Sequence, residues 1–167
     1  KWKYLAIGEG ERTIVFLHGM GGGYDIWWQQ INHFKASHRI ISMTYPPVAT
    51  LAKLSQGIIS IIDQEKVGRV NIVGSSLGGY LAQYLVKNYP DRIEKAVFAN
   101  TFPPNHIHSQ KAGKMKTILP LLPEWMVMGN LRQTTETAIY PAAGNSEMVR
   151  AYMLEQSFGM MTKKQFV

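Results

Sequence analysis

The chain has 167 residues, 46% of them hydrophobic, no cysteine, and 18 Lys plus Arg against 11 Asp plus Glu, a formal charge of +7. That length supports one core and excludes two comfortable domains, while the lack of cysteine excludes a disulfide scaffold and a thiolate metal site and fits the cytoplasm. The basic residues, such as Lys35, Lys53, Lys66, Lys87 and Lys95, are scattered singles with no aromatic-interleaved stripe, which argues against nucleic acid, and every apolar run is far shorter than the ~20 residues of a stable membrane insertion.

In chain order, Lys3–Ile7 reads as a strand, Gly8-Glu9-Gly10-Glu11 as a tight turn and Thr13–Leu17 as a second strand, which predicts a hairpin. The second strand runs into His18-Gly19-Met20-Gly21-Gly22-Gly23. Residues 25–34 carry Trp27, Trp28, Ile31 and Phe34 at helical spacing, with Asp25 as an N-terminal acid. Arg39–Thr44 is a third strand, stopped by Tyr45-Pro46-Pro47, and residues 51–63 form a helix turning Leu54, Ile58, Ile61 and Ile62 inward. A strand over 70–73, a helix through Tyr89 and a strand over 96–99 follow. Continuous apolar strands alternating with helices imply a mainly parallel sheet covered on both faces.

Between the strand over 70–73 and its helix stands Gly74-Ser75-Ser76-Leu77-Gly78-Gly79. Strand, sharp turn and helix in this order make a nucleophile elbow, whose central residue is strained and whose positions two before and two after must lack obstructing side chains. Centred on Ser76, those positions are Gly74 and Gly78; centred on Ser75 they would be Val73 and Leu77, so Ser76 is the candidate nucleophile. The elbow aims the hydroxyl out of the carboxyl edge of the sheet at a helix N-terminus. Acyl transfer builds negative charge on a carbonyl oxygen, and two backbone donors suit it. The N–H groups of Met20 and Leu77 are nominated for this oxyanion hole, with His18 and Gly19 supporting the first loop and Gly74 and Gly78 the second.

These two motifs together resemble the α/β-hydrolase fold family, in which an apolar strand ending His-Gly supplies the oxyanion loop and a later Gly-x-Ser-x-Gly the nucleophile. The likeness runs from about Trp2 to Thr101. The stretch Gly74-Ser75-Ser76-Leu77-Gly78-Gly79-Tyr80-Leu81-Ala82-Gln83, with Tyr45-Pro46 upstream, is most similar to the maspardin branch. The resemblance implies an acid and a histidine after the serine in chain order, and both are expected beyond Val167. Lys1 is not an initiator and the chain stops inside what reads as a helix, so a fragment is expected, lacking its final strands and leaving the strand over 96–99 near an apolar edge.

Phe102-Pro103-Pro104 breaks the alternation, and the division expected is a core over 1–102 and a helical cap over 103–167. The cap holds seven of nine methionines (Met115, Met126, Met128, Met148, Met153, Met160, Met161) together with Pro120, Pro123 and Pro141. Methionine suits an adaptable apolar wall, and equally ordinary packing between helices. Of the five histidines, His18 reads as structural, His33 and His38 as surface, and His106 and His108 as pocket mouth or solvent rather than base. Asp63, Glu65, Asp91, Glu94 and Glu124 fall away from the carboxyl ends of strands. Asn100 and Thr101 occupy a turn where some relatives carry the acid, and neither can serve as one. His106-x-His108 lacks a partnering carboxylate, so no metal is expected.

The sequence therefore leads to a serine hydrolase of a small, largely apolar ester or related acyl substrate, carboxylesterase-like, that needs no cofactor. A thioesterase or C–C hydrolase would use the same parts. The alternative is a non-catalytic, maspardin-like binding or adaptor protein on the same scaffold, with a protein partner, because the resemblance implies a branch without a full triad.

Overall fold

A computed structural model of the protein describes residues 1–48, 50–103, 118–142 and 146–155. His106, His108, Met115, Met160 and Met161 lie outside the described residues. The chain divides into two compact units, Lys1–Pro103 and Pro104–Val167.

The first unit is built on a five-stranded sheet ordered β1-β3-β2-β4-β5, from β1 (Lys3–Ile7), β2 (Thr13–Leu17), β3 (Arg39–Thr44), β4 (Val70–Ser75) and β5 (Ile93–Ala99). All neighbours are parallel except β1, which runs antiparallel to β3 in a register from Lys3↔Thr44 to Ile7↔Ile40. The predicted hairpin is thus corrected: β1 and β2 are not partners. Every residue of β2 is buried, whereas β1 is half exposed. A strand with two apolar faces belongs in the interior of a parallel sheet and a half-polar one at its border. The link between them crosses the start of β3: a Cβ on Gly8 (φ 88°) would overlap the His38 carbonyl and one on Gly10 the Ser37 carbonyl, and Arg39 N donates to Arg12 O at 2.9 Å.

Alternate residues of the central strands feed two cores. Val15, Leu17, Ile41, Met43, Val70 and Ile72 point to one face, against Leu54, Ile58, Ile61 and Ile62 of helix α2 (Leu51–Gln64) and Leu81, Ala82 and Leu85 of helix α3 (Leu77–Asn88). Ile14, Phe16 and Ile40 point to the other, against Ile31 of helix α1 (Trp28–Phe34). Burying a side chain of this kind contributes roughly 1.5–3 kcal/mol. Helix α2 starts on Thr50, whose hydroxyl accepts from Lys53 N at 3.2 Å.

Helix α1 begins three residues later than expected, and Asp25 lies outside its first turn. Trp27 (φ −91°, ψ 20°) stays in a turn and stacks its ring on Phe16, centroids 5.1 Å apart, so packing on β2 overrides the helical spacing. In the second unit the described residues form the helices Glu124–Ala142 and Glu147–Leu154 and no strand. Ser146 caps the shorter helix by accepting from Val149 N at 3.4 Å. Among the described residues no helix is long and apolar enough to cross a membrane.

Candidate active site

Ser76 is the first residue after β4 and the N-cap of α3, at φ 54° and ψ −118°. A side chain held in the positive-φ region stores roughly 1–3 kcal/mol of strain, which the surroundings must impose. They do so through close approach. A Cβ on Gly74 would overlap the Gly78 carbonyl, and one on Gly78 would overlap the carbonyl of Leu17 at the end of β2. The two glycines therefore let the elbow close on itself and let α3 start against β2. Ser76 is solvent-exposed, at the positive end of the α3 dipole, and Leu77 N–H is one of the donors that the first turn leaves without an intrahelical partner.

The glycine loop after β2 meets the elbow. A Cβ on Gly19 would stand 3.3 Å from Ser76 Cβ and 3.8 Å from Ser76 Oγ. His18 is 4% exposed, and burial holds its imidazole below the usual histidine range. Its Nδ1 donates to Gly19 O at 2.6 Å, since a carbonyl can only accept, and its Nε2 accepts from Tyr45 N at 3.4 Å. These partners fix one neutral tautomer, so His18 has no free nitrogen for a serine. The ring is stacked on Tyr45, centroids 3.9 Å apart, and a Cβ on Gly22 would come within 3.0 Å of His18 Cβ and Nδ1. Tyr45 Oη donates to His18 O at 3.0 Å, and burial raises the phenol so that it stays protonated. The Gly19 carbonyl, already bonded by His18, also takes Gly22 N at 3.2 Å. That carbonyl shares a peptide plane with the N–H of Met20, a residue that is 58% exposed.

The rest of the loop is fastened to β3: Ser42 Oγ donates to Tyr24 O at 2.6 Å and Tyr24 N donates to Thr44 Oγ1 at 2.9 Å. On the far side of the elbow, Ser76 N donates to Ala99 O at 3.1 Å, and Thr101 Oγ1 donates to Ser76 O at 2.8 Å. The structure thus brings together Ser76, Gly19 and the flanking glycines at the carboxyl ends of β2 and β4, where ligands of such sheets bind. His33 and His38 lie elsewhere, each edge-on to Phe34. Among the described residues no group of three His, Cys, Asp or Glu could hold a metal.

Sequence reasoning missed the contributions of Tyr45 and Thr101. In the sequence Tyr45 reads as a strand stop and part of a branch likeness, and Thr101 as a turn residue that cannot be the acid; neither reading predicts the hydrogen bonds they make here. A cavity of about 230 Å³ lined by Arg12, Ile14, His38, Asn71, Lys95 and Val97 among others leaves Ser76 out.

Residues 50–138 match the profile described as the alpha/beta hydrolase fold. The chain is similar to 3-oxoadipate enol-lactonase 2 of Acinetobacter baylyi, 25% identical over 108 residues, covering 59% of this chain and 40% of the relative. It is also similar to maspardin of Danio rerio, 30% identical over 100 residues, covering 58% of this chain and 32% of the relative. Among solved structures, a hydrolase from Pseudomonas aeruginosa PA01 superposes with a TM-score of 0.76 at 20% identity, over 98% of this chain and 64% of that one. The chain thus spans roughly a third to two fifths of the length of these two curated relatives.

Proposed function

The chain belongs to the α/β-hydrolase fold family, and from that premise we propose that it carries the nucleophile of a serine hydrolase acting on a small, largely apolar ester or related acyl substrate. The observation that carries this reading is Ser76 itself, strained, exposed, at a helix N-terminus and in contact range of the glycine loop. Ser76 Oγ attacks the substrate carbonyl and gives its proton to a histidine, which the family order places after the serine together with an acid. The carbonyl oxygen becomes an anion held by the amides of Met20 and Leu77. Collapse expels the alcohol, which takes the proton back, and water then cleaves the acyl-enzyme by the same route. The chemistry calls for no cofactor. The proposal includes the assignment of 103–167 to a helical cap and a cytoplasmic setting.

The test is the intact mass of the protein at its natural length before and after a fluorophosphonate probe, beside Ser76→Ala. A single adduct that disappears in the variant supports the hydrolase. No adduct on folded protein removes the catalytic assignment. The likeness to maspardin favours the second reading, a binding or adaptor protein on the same scaffold, which would leave Ser76 unlabelled.

A further inference from the structure

Each nominated oxyanion donor belongs to a peptide plane whose carbonyl is gripped by a side chain. For the Gly19–Met20 peptide the grip is His18 Nδ1 at 2.6 Å. For the Ser76–Leu77 peptide it is Thr101 Oγ1 at 2.8 Å. We propose that Thr101 is a positioning residue of this site: by bonding the Ser76 carbonyl it sets the plane from which Leu77 N–H faces a substrate oxygen. The proposal rests on the reading of Ser76 as nucleophile.

A trans peptide is planar and its C=O and N–H point in opposite directions, so fixing one fixes the other. The torsion that turns this plane is ψ of Ser76, −118° at φ 54°, a combination that a serine does not hold by its own preference. The Ser76 carbonyl has two partners, Tyr80 N at 3.0 Å as the first bond of α3 and Thr101 Oγ1 from outside the helix. The second hydrogen bond also polarises the amide and strengthens its N–H as a donor.

Several features seat Thr101 for this task. Asn100 takes a left-handed φ of 45° directly after β5. Ala99 O takes the Ser76 N–H, so the last residue of β5 and Thr101 just after it hold both backbone polar groups of Ser76. Gly79 makes the room: a Cβ there would lie 2.7 Å from both Cβ and Cγ2 of Thr101. The segment stays docked on α3 through Gln83 Nε2 donating to Phe102 O at 3.0 Å and Phe102 against Tyr80, centroids 5.4 Å apart.

The experiment uses the protein at its natural length with 4-nitrophenyl butanoate as substrate and a fluorophosphonate as label. Thr101→Val should lower kcat about ten-fold with KM changed by less than about two-fold, a fraction of what deleting an oxyanion donor costs. Thr101→Ser, which keeps the hydroxyl, should recover most of that loss. Thr101→Ala lacks the hydroxyl without adding a methyl beside the carbonyl, and should repeat the fall should the valine variant not fold. The Ser76 carbonyl ¹³C and Leu77 amide ¹H resonances should move in Thr101→Val and return in Thr101→Ser. Wild-type kcat in both hydroxyl-free variants, with Ser76 still labelled, overturns the proposal and leaves the nucleophile standing. So does a serine variant no better than alanine. A wild-type protein that neither turns over nor labels removes the nucleophile first, and the proposal falls with it.

Discussion

Replacing Ser76 by glycine tests whether the elbow stores strain. At φ 54° and ψ −118° the serine Cβ is held in a conformation that glycine adopts freely, and the hydroxyl makes no capping bond to α3. Relief of about 1–3 kcal/mol of strain, set against roughly 0.5–1 kcal/mol for the greater freedom of glycine in the unfolded chain, leaves Ser76→Gly at least as stable as wild type and by up to about 2.5 kcal/mol more so. Ser76→Ala keeps the Cβ and should stay near wild type. An ordinary N-cap serine predicts the opposite sign, since its replacement by glycine destabilises by a few tenths of a kcal/mol. Urea denaturation at 25 °C followed by circular dichroism separates the two, provided the slopes of the transitions agree. A Ser76→Gly protein less stable than wild type would refute the strain argument.

Gly78→Ala drives a methyl into the Leu17 carbonyl, with the His18 carbonyl 2.7 Å away, and backbone at the end of β2 has nowhere to go. A loss of about 1–3 kcal/mol is expected in the same assay, and a neutral result would show that the elbow does not press on β2 as described. The buried His18 makes stability fall with acid. Its folded value is depressed, mainly by burial, so below about pH 6.5 the unfolded chain binds the proton more readily than the folded one. That contribution is complete above about pH 6.5 and is lost as pH falls toward the folded value. Urea midpoints measured from pH 8 down to pH 5 should drop for wild type and drop less for His18→Asn; equal slopes would exclude His18 as the source.

The sequence carried β1, β2 and β3 residue for residue, because buried strands are written as short apolar runs between turn residues. It did not carry the pairing of β1, which joins β3 rather than its neighbour in the chain. Partner choice is a long-range matter, and the one local clue was that β2 has no polar face. The elbow was legible for a similar reason: the glycines flanking Ser76 are demanded by contacts within a few residues. Thr101 and Tyr45 were not, since their bonds to Ser76 and His18 span 25 and 27 residues and depend on how β5 and β3 end beside the elbow and the glycine loop.

Met20 illustrates a blind spot of side-chain mutagenesis. The residue is exposed and its amide lies in a plane held by the Gly19 carbonyl, so the proposed role passes through an atom that every amino acid except proline shares. An alanine scan or a library at this position would register little, and a changed side chain there would leave the proposed donor in place. Only an amide-to-ester replacement by chemical synthesis, or proline, deletes the donor, so variation at residue 20 is a setting where neutral change and functional constraint occupy the same residue on different atoms.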